Sequence, residues 1–223
     1  MFSAFEIIGP VMVGPSSSHT AGACRIGLMA RRLLGEAPRE VVIGLHGSFA
    51  ATGEGHATDR ALVAGILGLA PDDEQLRISF DLARAAKVRI EIDEVDLGEN
   101  AHPNSVCIEA KGSETSICVI ASSTGGGAIR VTQINQFGVE LSGQLESIVA
   151  WHGDTPGFLG RIAAVCACVE LNIATARTSR HERGEEALTV IEVDGKFDDD
   201  LLSILRRSKG TTRLVHLPIL PGF

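Results

Sequence analysis

The sequence predicts an α+β protein in two parts: helices on a mostly antiparallel sheet, then a compact ferredoxin-like βαββαβ module. Three observations carry this. Between residues 88 and 134, short β-branched runs alternate with polar residues, the two-residue period of strands with one wet face. Upstream, the segments 20–34 and 61–69 repeat apolar residues at helical intervals, and the order from residue 145 onward reads strand, helix, strand, strand, helix, strand.

The elements follow in order. A short apolar lead-in reaches a polar run at Gly14, and the helix over 20–34 stops at Gly35 with Pro38 beyond. Glu40 to His46 is β-rich and reads as a strand. A glycine-containing loop, 47–59, follows it, then an apolar helix that ends near Pro71. Four strands are expected at 88–92, 105–110, 115–120 and 129–134, interrupted by the loops 99–104 and 122–127. Polar, glycine-containing sequence around Gly138 to Gln144 marks a boundary, giving domains 1–142 and 145–223. In the second, strands are expected at 145–151, 173–179, 187–193 and 212–217. The helix 156–171 has Asp154 or Thr155 as its N-cap, and the helix 198–209 begins at an aspartate run.

Composition excludes several classes. The 223 residues are 44% apolar with a net charge of −8, so the chain has enough material for real cores and no basic surface for a nucleic acid. No apolar run is long enough to cross a membrane, and the amino terminus lacks the pattern of a secretion signal. A cytoplasmic protein with neither nucleic-acid nor membrane partners is expected. The cysteines, 24, 107, 118, 166 and 168, are odd in number and sit in apolar runs, which suggests buried thiols in a reducing compartment. Their spacing matches no metal motif, and Cys166 and Cys168 point apart on a helix.

The chemistry concentrates in three stretches. Gly14-Pro-Ser-Ser-Ser-His-Thr-Ala-Gly22 leads hydroxyls and backbone N–H groups into a helix, a donor surface for an anion. Ser16, Ser17, Ser18, His19 and Thr20 are the candidate binding residues, and a plain helix cap at Ser18 or Thr20 is the simpler alternative. In Thr52-Gly-Glu-Gly-His-Ala-Thr-Asp59, His56 is a candidate base on a loop that lets a small substrate approach, and Asp59 either orients it or caps the next helix. His102 and Asn104 flank a proline that holds the backbone extended, so both can face one ligand. A nucleotide-phosphate site at Gly14 to Gly22 lacks the P-loop lysine.

In this order, the three stretches resemble the β subunit of iron–sulfur-dependent bacterial L-serine dehydratases (L-serine ammonia-lyases), and the βαββαβ module resembles the ACT regulatory domain of such subunits. The resemblance covers nearly the whole chain. It implies conversion of L-serine to pyruvate and ammonia, with His56, His102 and Asn104 catalytic and the serine run with His19 holding the substrate carboxylate. It also implies a [4Fe–4S] cluster whose open iron takes the serine hydroxyl. No loop of this chain clusters cysteines for it, so the cluster is expected on a partner α subunit, with no metal held here. The ACT resemblance implies pairing of two copies and an effector site that includes Asp154 and Gly157, although Asp154 also reads as a helix cap. The alternative of another class is a non-catalytic regulatory protein that binds amino acids or anions.

Overall fold

The computed structural model describes residues 11–53 and 55–222, and the expected apolar lead-in lies largely outside the described residues. The chain forms two compact units. The first runs to Asn135 and takes back the residues from Leu220 on, while the second is Gln136–Ile219.

The first unit begins with a π-helical turn, Ser17–Gly22, that runs into α1 (Ala23–Leu34). Next come β1 (Glu40–Gly47), α2 (Ser48–Thr52), α3 (Thr58–Ile66), a 3-10 turn (Glu74–Ile78) and α4 (Ser79–Ala85). Four strands complete it: β2 (Arg89–Glu94), β3 (Asn104–Lys111), β4 (Ser116–Gly125) and β5 (Ala128–Ile134). They lie in the order β2-β1-β3-β4-β5. All neighbouring pairs are antiparallel except β1 with β2, which are parallel, since the helical crossover α2 to α4 brings the chain back to start β2 in the same sense.

Alternation sorts the faces. Val41, Ile43 and Leu45 of β1, Val106, Ile108 and Ala110 of β3, and Val119 and Ala121 of β4 are buried, as are Ile26, Met29 and Leu33 of α1. On the opposite face Val42, Gly44, Cys107, Cys118 and Ile120 are half-buried and Glu109 is exposed. Arg25 of α1 is fully buried. Its guanidinium donates to the carbonyls of Pro221 at 3.0 Å, Gly222 at 2.6 Å and Gly127 at 2.5 Å, which fastens residues 220–222 to this unit. Burial lowers its pKa to about 10, so it stays charged at neutral pH.

The second unit opens with β6 (Phe137–Leu141), in the stretch expected to be a linker. Then come β7 (Glu146–Gly153), α5 (Phe158–Cys168), β8 (Ile173–Arg180), β9 (Glu186–Val193), α6 (Asp199–Arg206) and β10 (Thr211–Leu217). The sheet order β10-β7-β9-β8 with antiparallel neighbours is the ferredoxin-like arrangement expected. Ile148, Phe158, Ile162, Ile191, Leu201 and Leu205 form its core. Asp198 caps α6, accepting from the Leu201 N–H at 2.7 Å. The cap of α5 differs from expectation: Gly157 occupies the position with φ 84° and no side chain caps the helix. Asp154 instead accepts from Arg180 Nη1 at 2.6 Å and from the Gly184 N–H at 3.0 Å. Among the described residues, no helix is long and apolar enough to cross a membrane.

Candidate active site

The π-helical turn brings the polar run of residues 16–20 to a point. Ser16, not Ser18 or Thr20, is its cap, with Oγ accepting from the His19 N–H at 3.1 Å. Ser16 and Ser18 hydroxyls lie 3.3 Å apart. A π turn fits one more residue into each turn than an α-helix does, and such turns concentrate at functional sites. The change from π to α geometry lies at Gly22 and Ala23, directly after the run.

His19 is the hub. Its Nδ1 is 3.1 Å from Ser18 Oγ and its Nε2 is 3.1 Å from Ser48 Oγ, while its ring meets Phe49 edge-on at 5.3 Å and His56 at 4.9 Å. Burial, and then the neighbouring His56, hold its pKa below the ordinary histidine value, partly offset by a hydrogen bond at Ser48. Thr20 Oγ1 donates to the His56 carbonyl at 3.1 Å, tying the two loops together.

His56 is half-buried, and its Nδ1 lies 3.1 Å from the Thr52 carbonyl. A carbonyl only accepts, so Nδ1 carries the hydrogen and the Nε2 lone pair is left available as a base. Asp59 sits in the first turn of α3, with Oδ1 accepting from the Arg60 N–H at 2.7 Å. Neither a hydrogen bond nor an ion pair links it to His56 among the described residues. Asp59 is not the cap either, since Ala57 holds that position and no side chain caps the helix.

The 102–104 segment reaches the site through its backbone. Pro103 O accepts from the Ser48 N–H at 2.7 Å, and Gly47, at φ 58°, lets the strands approach so closely that a Cβ there would sit 2.7 Å from that oxygen. The exposed His102 ring turns back on its own loop, with Nδ1 accepting from the Asn104 N–H at 3.1 Å. His102 lines a cavity of about 420 Å³ with Ser105, Ser122, Arg130 and Gln133. Asn104 stands opposite Gly47 at the start of β3. The structure thus joins residues 16–20, Ser48 and His56 directly, and joins His102 and Asn104 only through Pro103. Ser48 and the carbonyls of Thr52 and Pro103 carry no sequence signal beyond the position of Ser48 at a glycine after a strand. The buried hydroxyls of Thr58 and Ser123 have no hydrogen-bond partner.

The cysteines do not fit an iron–sulfur cluster, which takes three or four thiolates. Cys24 is buried in α1, its thiol pushed up to about 12 by burial. Cys166 and Cys168 belong to the other unit, the first buried and the second exposed. Cys107 and Cys118 form a pair with a carboxylate rather than further thiols.

Fold and loops together define an α+β protein that presents histidines and hydroxyls at one end of its first sheet and carries a ferredoxin-like second unit. A family model described as serine dehydratase beta chain matches residues 3–96. The L-serine dehydratase, beta chain, of Peptoniphilus asaccharolyticus is 40% identical over 207 residues, covering 92% of each chain. The probable L-serine dehydratase, beta chain, of Bacillus subtilis is 39% identical and covers 92% of this chain and 93% of that one. A D-3-phosphoglycerate dehydrogenase of Bacillus subtilis is 22% identical over 88% of this chain and 38% of its own. The chain belongs to the L-serine dehydratase beta-chain family, and the reading as a regulatory protein without chemistry is not favoured.

Proposed function

We propose that this chain forms half of an L-serine ammonia-lyase site that is completed by an α subunit carrying a [4Fe–4S] cluster. The observation that carries this is the meeting of His19 and His56, 37 residues apart, inside a set of hydroxyls. Removing water from serine needs a base for the Cα proton, donors for the carboxylate, and an acid for the departing hydroxyl. His56, with Nε2 as acceptor, takes the Cα proton. Ser16, Ser17, Ser18 and His19 donate to the carboxylate, and His102 and Asn104 close the substrate side. Thr20, expected among the carboxylate donors, is instead buried, with its hydroxyl spent on the His56 carbonyl and its N–H on the Ser16 carbonyl. Nothing in the chain's thiols supplies the acid, which is why a second chain is required.

Two copies pair through the second unit, and an amino-acid effector is held near Asp154 and Gly157. The support is the βαββαβ order together with Asp154, whose carboxylate gathers Arg180 and the Gly184 N–H beside Gly157 rather than capping the helix. The free thiols suit a cytoplasmic location.

The test is co-expression with the α subunit, anaerobic purification and an assay of pyruvate from L-serine. Turnover that falls by at least about 10²-fold in His56→Ala is expected for loss of a general base. A complex that holds its cluster yet never turns over serine overturns the proposal, and an unchanged rate in His56→Ala removes this residue as base.

A further inference from the structure

Cys107 and Cys118 lie 11 residues apart in sequence on β3 and β4. The register sets Cys107 opposite Ile120 and Cys118 opposite Glu109. Residues two apart on a strand share a face, so both thiols and the carboxylate project from the side of the sheet that the buried residues of β3 and β4 do not use.

The two Sγ atoms are 3.8 Å apart, and one oxygen of Glu109 lies with both of them inside a 4.8 Å span. Two thiolates bound tetrahedrally to zinc at about 2.3 Å are themselves about 3.8 Å apart. The spacing already present is the one such an ion requires, whereas a disulfide would need the sulfurs to close to about 2.05 Å. The frame around Cys118 is fixed. Its N–H donates to Asn135 Oδ1 at 3.0 Å, and its carbonyl accepts from the Asn135 N–H at 2.6 Å. Beside it is a cavity of about 150 Å³ lined by Glu109, Lys111, Ser116, Cys118 and Asn135, which gives room for a water.

We propose that Cys107, Glu109 and Cys118 bind a thiophilic divalent cation, zinc by preference, with a water as fourth ligand. Two thiolates and one carboxylate favour zinc over magnesium or calcium, whose ligands are oxygens. Binding releases the thiol protons to solvent. The ion ties β3 to β4 on the open face. It also revises the expectation of a metal-free chain, because ligands on neighbouring strands leave no spacing motif.

The full chain, reduced and free of oxygen, is titrated with Co²⁺ as a spectroscopic stand-in for zinc. One equivalent is expected to give thiolate-to-cobalt charge-transfer absorption and the visible bands of tetrahedral Co²⁺, both abolished by Zn²⁺. Cys107→Ser and Cys118→Ser should each lose the charge-transfer band, while Cys168→Ser keeps it. Glu109 is exposed, so Glu109→Gln folds whatever the serine variants do, and its cobalt affinity should fall at least about tenfold. The proposal is overturned by any of four results: no charge-transfer band in the reduced chain, a band that survives in Cys107→Ser or Cys118→Ser, unchanged affinity in Glu109→Gln, or thiol titration showing the pair joined as a disulfide under reducing conditions.

Discussion

The imidazoles of His19 and His56 stand 4.9 Å apart, centroid to centroid, with their planes tilted by 40°. Charge on the His56 ring opposes charge on the His19 ring. With its pKa held down by burial and by His56, His19 is neutral at pH 7 and can share its ring nitrogens with Ser18 and Ser48. In His56→Ala the charge effect disappears and burial remains. The His19 titration midpoint, followed by NMR of its ring protons, should rise part of the way toward the free-histidine value. No change would show that His56 exerts no field there.

The same depression has a sign in stability. The folded pKa of His19 lies below the unfolded one, so the unfolded chain takes up the proton first as pH falls. Stability from this group is complete above the ordinary histidine value and is lost as pH drops from there through the folded pKa. His152, stacked on Phe158 at 3.5 Å and lowered chiefly by burial, adds to the trend in the second unit. Urea unfolding midpoints should fall as pH drops below about 6.5, and less steeply in His19→Gln. A flat profile in the parent chain would contradict the burial of these rings.

Ser48→Ala removes the Nε2 partner of His19 and leaves the Ser48 N–H to Pro103 bond in place. The stability loss should stay near about 1 kcal/mol, the net worth of a hydrogen bond. The loss of turnover in the assembled enzyme should be larger, about tenfold, because the His19 ring then keeps only the Ser18 hydrogen bond and is oriented less tightly. Equal small losses in both would reduce Ser48 to a structural role.

Much of this fold is written in local patterns. The second unit has the expected order of strands and helices, with the central strands β7 and β9 buried along nearly their whole length and the edge strand β8 exposed along most of its own. In the first unit less is local. The parallel partner β2 follows from the α2 to α4 crossover, and no local pattern fixes strand direction. The helices Ser48–Thr52 and Ser79–Ala85 are too short to develop a periodic stripe. At the site, His19 and His56 stood out by residue type. Ser48 and the Thr52 carbonyl did not, since backbone acceptors have no sequence signature and the π turn that aims His19 has none either. The Cys107 and Cys118 pairing depends on register, which becomes visible only in the sheet.

Glu36 anchors the loop after β3. It accepts from the N–H groups of Ser113, Glu114 and Thr115 at 2.8, 3.0 and 2.6 Å, and from the Ser113 and Thr115 hydroxyls. These donors, the hydroxyls foremost, hold its carboxyl far below the usual range. A depressed carboxylate stabilises above its unfolded pKa, near about 4.3, and the contribution disappears as pH falls through the folded value. Glu36→Gln should therefore lower the melting temperature at pH 7 and narrow its gap to the parent chain below pH 4. A gap that stays constant with pH would mean that the charge is not what the loop holds.

Helices α1 and α3, which carry the two loops of the site at their amino ends, cross at a pair of glycines. A Cβ at Gly65 would lie 1.9 Å from the Cys24 carbonyl oxygen, and one at Gly27 would lie 2.2 Å from the Leu62 carbonyl oxygen. Both obstacles are backbone, so no side chain can swing away and the helices themselves must separate. Gly65→Ala should destabilise by about 1–3 kcal/mol despite the better helix propensity of alanine. Gly160 of α5 has no atom within 4 Å of its missing Cβ, so Gly160→Ala, the same chemical change in open space, should stabilise by about 0.5–1 kcal/mol. Because one separation relieves both contacts, Gly27→Ala combined with Gly65→Ala should cost less than the sum of the single losses. Urea denaturation of the three single variants and the double variant reads all of these signs. A neutral Gly65→Ala would mean that the crossing is looser than the structure describes, and strict additivity would mean that the two glycines do not share one contact.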